Sequence, residues 1–97
     1  MNKYESVIIT KPIKEVGNEM ATKVSKIIDN YGDVQDIEEL GIRRLAYTVK
    51  GNDEGYYIIF YFRSDSDFIP ELERQFRLEE NIIKFMIIKV EGDEDVD

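Results

Sequence analysis

The sequence predicts an α+β fold of the ferredoxin-like, split βαβ kind. The element order is β-α-β-β-α-β, giving a four-stranded antiparallel sheet in the order 4-1-3-2 with two helices on one face. Three observations lead there. A strand pattern, a helix pattern and a second strand pattern occur in that order twice within 97 residues. A turn signal, Gly51-Asn52-Asp53-Glu54-Gly55, joins the two halves as a hairpin. Right-handed crossovers leave few other arrangements for such an order. Strands one and three then lie centrally, and strands two and four form the edges.

The first strand reads as Tyr4 to Thr10, with β-branched Val7, Ile8 and Ile9, and Pro12 ends it. Val16, Met20, Val24, Ile27, Ile28 and Tyr31 then recur at the spacing of an amphipathic helix. Gly32 follows at the position where a helix often ends in left-handed conformation. Gly17 weakens the first turn by roughly 1 kcal/mol relative to Ala. The second strand runs from near Val34 to Val49, and Gly41 marks a bulge or a bend within it. In its last part Leu45, Tyr47 and Val49 share one face, and Arg44, Ala46 and Thr48 the other. Tyr56 to Arg63 is the strongest strand signal in the chain. Ser66 or Asp67 can cap the second helix, Pro70 fits its first turn, and Phe68, Ile69, Leu72, Phe76 and Leu78 form its buried side. Glu79-Glu80-Asn81 turns the chain into the last strand, Ile82 to Val90.

Residues 1–90 are therefore expected to form one domain. Residues 91–97 hold five acids and no base, and read as a solvated, disordered acidic extension. The net charge is −8, and removing those five acids leaves −3 for residues 1–90. A mildly acidic body predicts weak binding to naked RNA and favours a chain that works with a basic partner. No apolar run is long enough to span a membrane, the first residues lack a signal-peptide core, and the absence of Cys suits a cytoplasmic chain. With neither Cys nor His, disulfides, thiolate metal sites and the commonest general base are excluded.

Strand parity sets out what the free side of the sheet carries. On strand three, Tyr56, Ile58, Phe60 and Phe62 are assigned to the core, and Tyr57, Ile59, Tyr61 and Arg63 to the open face. On strand four, Ile83, Phe85 and Ile87 point inward and Lys84, Met86 and Ile88 outward. On strand one, Val7 and Ile9 point outward. That face is too apolar to meet only water, so it reads as an interaction site, with an oligomer interface or a partly covered sheet at least as good a reading as RNA stacking. Gly55-Tyr56-Tyr57-Ile58-Ile59-Phe60-Tyr61-Phe62 also echoes the first motif of an RNA-recognition module. Glu54 replaces the expected base, however, and Tyr57 the expected small residue.

The catalytic motifs are absent. Lys50-Gly51 lacks the Gly-rich spacing of a phosphate loop. Glu38-Glu39 and Glu79-Glu80 lack the alternating ligands of a calcium loop and read as exposed charge. No serine sits in a nucleophile elbow, and no carboxylate, Lys or Tyr constellation for acid–base work is visible. No cofactor, metal or small-molecule substrate is expected.

The run Gly41-Ile42-Arg43-Arg44-Leu45-Ala46-Tyr47-Thr48-Val49-Lys50 remains. Two arginines beside an apolar strand suit docking onto an anionic backbone, although on an edge strand they could simply discourage sheet-to-sheet association. The run resembles the signature of the bacterial ribosomal small-subunit protein six family: a glycine, two positions on a basic pair, then Leu-Ala-Tyr and a β-branched residue. Lys3-Tyr4-Glu5, Asn30-Tyr31-Gly32, Glu38-Glu39-Leu40, Gly55-Tyr56-Tyr57, Arg77-Leu78 and Asn81 to Lys89 extend the resemblance over residues 3–90. The family's N-terminal basic pair is reduced here to Lys3.

The resemblance implies a non-enzymatic constituent of the small ribosomal subunit. It also implies binding to the central domain of small-subunit ribosomal RNA, as a heterodimer with the strongly basic small-subunit ribosomal protein eighteen. On that reading Lys3, Arg43, Arg44, Arg77 and Lys84 are phosphate-directed donors and Asn81 is a neutral donor to RNA. Tyr57, Ile59, Tyr61 and Met86 contact the protein partner. The rival expectation is a ferredoxin-like regulatory or ligand-sensing module that dimerises through its open sheet face and needs no arginine pair.

Overall fold

In the computed structural model, which describes residues 1–90, β1 (Asn2–Thr10), α1 (Lys14–Asp29), β2 (Gly32–Val49), β3 (Asn52–Ser64), α2 (Ile69–Leu78) and β4 (Ile82–Lys89) follow in the expected order. The four strands form one sheet in the order β2-β3-β1-β4, with every pairing antiparallel. This is the expected 4-1-3-2 arrangement, with β1 and β3 central. The acidic stretch 91–97 lies outside the described residues.

The core lies between the sheet and the two helices. Ile8, Ile58, Phe60 and Phe62 from the central strands meet Met20, Val24 and Ile28 of α1 and Leu72 and Phe76 of α2, all buried. Period two on the strands and period 3.6 on the helices supply the two apolar faces, as each pattern requires. Tyr4 stacks on Phe62 at 5.5 Å between ring centroids, and Phe76 meets Phe85 edge-on at 5.2 Å.

Several local expectations are corrected. The hairpin loop is not residues 51–55 but the two-residue turn Lys50-Gly51, both at positive φ (49° and 80°), with Val49 paired to Asn52. That is the twist-matched turn geometry, and it lets β3 begin four residues earlier than its aromatic run suggests. Of the bulge or bend expected at Gly41, the strand has the bulge, at φ 85° with a register shift between Glu39 and Gly41. Gly32 does not end α1 in left-handed conformation. It opens β2, where a Cβ would collide with the Arg63 carbonyl oxygen.

Neither Ser66 nor Asp67 caps α2. A 3-10 turn, Ser66–Phe68, leads into the helix without a side-chain cap, with Pro70 in the first turn as expected. Leu78 is exposed rather than buried, and Tyr31 is half out but stacked on Phe68 at 4.3 Å. A bulge at Ile9/Thr10 pairs Thr10 with Ile82, so Ile82 rather than Ile83 takes the core position. Ile83 is buried beside Ile9 and Gly55 instead.

Candidate functional site

The sheet side opposite the helices is built from directly opposed pairs, whose side chains share a face. Val7 sits between Ile59 of β3 and Met86 of β4; Glu5 sits between Tyr61 and Ile88; Ile9 sits between Tyr57 and Lys84. The four residues expected to meet a partner, Tyr57, Ile59, Tyr61 and Met86, are thus on one surface. Met86 is 51% exposed and the neighbouring Ile88 46%. Ile88 and Val7 complete the strip.

The edge strand gives this strip an acidic rim. Asp36 pairs with Tyr61 and Glu38 with Ile59, and the Tyr61 hydroxyl donates to Glu38 Oε1. That hydrogen bond, then desolvation and the charges of Glu38, Glu5 and Asp36, push the Tyr61 hydroxyl up to about 12. On the helix side, Tyr56 donates to Glu39 at 2.7 Å, and this bond, with burial, raises the Tyr56 hydroxyl as well. The surface is therefore apolar in the middle and carboxylate-bearing at its edge.

The cations gather mostly at the other end of the sheet. The register is lost after Arg44 and resumes only at Val49, so residues 45–48 leave the ladder. Leu45, Ala46, Tyr47 and Val49 then line a hollow with Ile9, Tyr57 and Lys84, which brings the hairpin arm over one end of the open face. Leu45, Tyr47 and Val49, expected on one strand face, are not equally covered: Tyr47 is 65% exposed, because the strand is no longer regular there. Lys84 fixes the ring by donating from Nζ to the Tyr47 hydroxyl at 3.2 Å, with Nζ 5.1 Å from the ring centroid.

Arg43 and Arg44 are both exposed and point to opposite sides, since Arg43 opposes Gly55 and Arg44 opposes Glu54. Arg77 ends α2, with its guanidinium 5.8 Å from the Phe85 ring centroid and Nη2 4.0 Å from Glu73. Asn81 accepts the Lys11 amide through its carbonyl, which places both residues at this same end. Lys3 does not join them. It pairs with Arg63 six residues down β1 from Ile9, about 20 Å away along the strand. Sequence reasoning missed Lys50, which the tight turn carries to the same hollow as Arg77 and Lys84. Its only sequence signal was the following glycine.

Among the described residues no helix is long and apolar enough to cross a membrane, and no cluster of acids is arranged to hold a metal ion.

Comparison with known proteins covers most of the described chain. Residues 3–89 match the family model described as ribosomal protein S6. The small ribosomal subunit protein bS6 of Helicobacter hepaticus is 39% identical over 95 residues, which is 95% of this chain and 69% of that relative. The protein of the same name from Alkaliphilus metalliredigens is 39% identical over 93 residues, 94% of this chain and 99% of the relative. The crystal structure of 30S ribosomal protein S6 from Thermotoga maritima superposes with a TM-score of 0.86 at 32% identity, covering 92% of this chain and 87% of that one.

Proposed function

The chain belongs to the ribosomal protein S6 family, and from that premise we propose that it binds the central domain of small-subunit ribosomal RNA as a heterodimer with small-subunit ribosomal protein eighteen. As a family member it is a structural protein of the small ribosomal subunit and not an enzyme. The observation that supports the finer reading is the division of its surface. The open sheet face is apolar along Val7, Ile59, Met86 and Ile88, with Glu5 among them on β1 and Asp36 and Glu38 on the β2 edge. A basic, partly apolar protein is its complement.

RNA contact falls to the cations at the hairpin end. Arg43 and Arg44 on β2, Arg77 on α2 and Lys84 on β4 are phosphate donors, and Asn81 is a neutral donor beside them. Lys3, at the far end of the sheet, makes a separate contact. A few donors suffice when the partner carries most of the positive charge. In this reading residues 1–90 act as one domain in the cytoplasm, and the acidic stretch 91–97 stays outside the RNA contact.

The test is a pull-down of the tagged chain from a bacterial lysate at low and high salt, with RNA and proteins identified. Recovery of small-subunit ribosomal RNA and protein eighteen, with the RNA lost at high salt, is expected. Recovery of the chain alone as a homodimer would favour a sensing module that dimerises through the same face.

A further inference from the structure

The hairpin tip holds a residue that its geometry does not favour. A two-residue turn with both φ values positive selects Asn, Asp or Gly at its first position, yet Lys50 occupies it at φ 49°. Backbone outliers of this kind gather where function holds them. The turn sets Lys50 beside Arg77 from the end of α2 and Lys84 from β4, and the three line one hollow of about 280 Å³ over Phe76 and Phe85. Among the described residues no carboxylate lines that hollow. Glu73 approaches Arg77 only at 4.0 Å, and Lys84 is bonded to the uncharged Tyr47 hydroxyl, which orients its ammonium without neutralising it. Three cationic side chains lining one hollow, with no acid lining it among the described residues, suit an anion.

We propose that Lys50, Arg77 and Lys84 form a pocket for a single backbone phosphate of ribosomal RNA, a proposal that rests on the RNA-binding reading above. Arg77 offers paired donors to two phosphate oxygens, and the two lysines act as point charges. Side chains supply the donors here, unlike a Gly-rich phosphate loop, whose backbone amides do so. Lys50 is the new contact, and it anchors the hairpin arm to the RNA.

The test is Lys50→Asn in the full chain. Asn suits the turn better, so the variant should melt at the same or a higher temperature, which separates binding from folding. Binding is measured to a transcript of the central domain of small-subunit ribosomal RNA, with protein eighteen present, over a salt series. The variant should bind about fivefold more weakly, the weight of one partly exposed ion pair. Its plot of log affinity against log salt should be shallower by about 1. A variant equal to the parent in affinity and slope overturns the pocket and leaves the RNA reading standing. A parent chain that adds nothing to RNA binding overturns that reading and the pocket with it.

Discussion

The Tyr61 hydroxyl donates to Glu38 Oε1 at 2.5 Å, tying an aromatic in the middle of the open face to the acidic edge of the sheet. The two residues sit on neighbouring strands, two pairs apart, since Glu38 opposes Ile59 and Asp36 opposes Tyr61. The bond fixes where the apolar strip ends and the carboxylate rim begins. It also holds the Glu38 carboxylate beside the apolar strip.

This bond has a readable titration. The Tyr61 hydroxyl should lose its proton near 12, and in Glu38→Gln it should move down toward the ordinary value near 10. Its folded value lies above the unfolded one. The contribution to stability is therefore full below about pH 10 and is lost as pH rises toward 12. Tyrosinate absorbance followed in parent, Glu38→Gln and Tyr61→Phe checks this. An unmoved transition in Glu38→Gln would show that Glu38 is not the cause.

Gly17→Ala should destabilise the protein, although alanine favours helices. A Cβ there would run into the ring of Tyr56, which is buried and bonded to Glu39. The overpacking cost, roughly 1–3 kcal/mol, exceeds the gain of about 1 kcal/mol in helix propensity. Urea denaturation decides the sign.

Arg43→Glu and Arg44→Glu should each leave stability within about 0.5 kcal/mol, because both side chains are exposed. Incorporation into assembled small subunits should fall in both. Normal incorporation of either variant, followed by mass spectrometry of purified subunits, would remove that arginine from the RNA contact.

The element order, the sheet topology and the core were legible because period two and period 3.6 are set by which side chains must be buried. Phe60, Ile58 and Val24 could hardly be placed otherwise. The conformation of the hairpin arm was not legible. Leu45 to Thr48 alternate like a strand, but β3 offers only Asp53 opposite them, so the ladder breaks and Tyr47 swings out to Lys84. The same limit hid Lys50, whose place beside Arg77 depends on a two-residue turn that the Asn-Asp-rich run 51–55 masked. Lys3 shows the converse. Residue type grouped it with the other RNA-directed cations, and the register puts it at the far end of the sheet from them.

Ile59→Asp should leave the fold intact, since Ile59 lies on the open face and outside the core cluster. It should weaken association with a basic apolar partner by more than about tenfold, as a charge placed centrally in an interface does.

Sedimentation equilibrium of the purified chain with purified small-subunit ribosomal protein eighteen tests the central claim most directly. A one-to-one complex that Ile59→Asp disrupts is the predicted result. A chain that forms a homodimer, or ignores protein eighteen in the same buffer, would contradict the account.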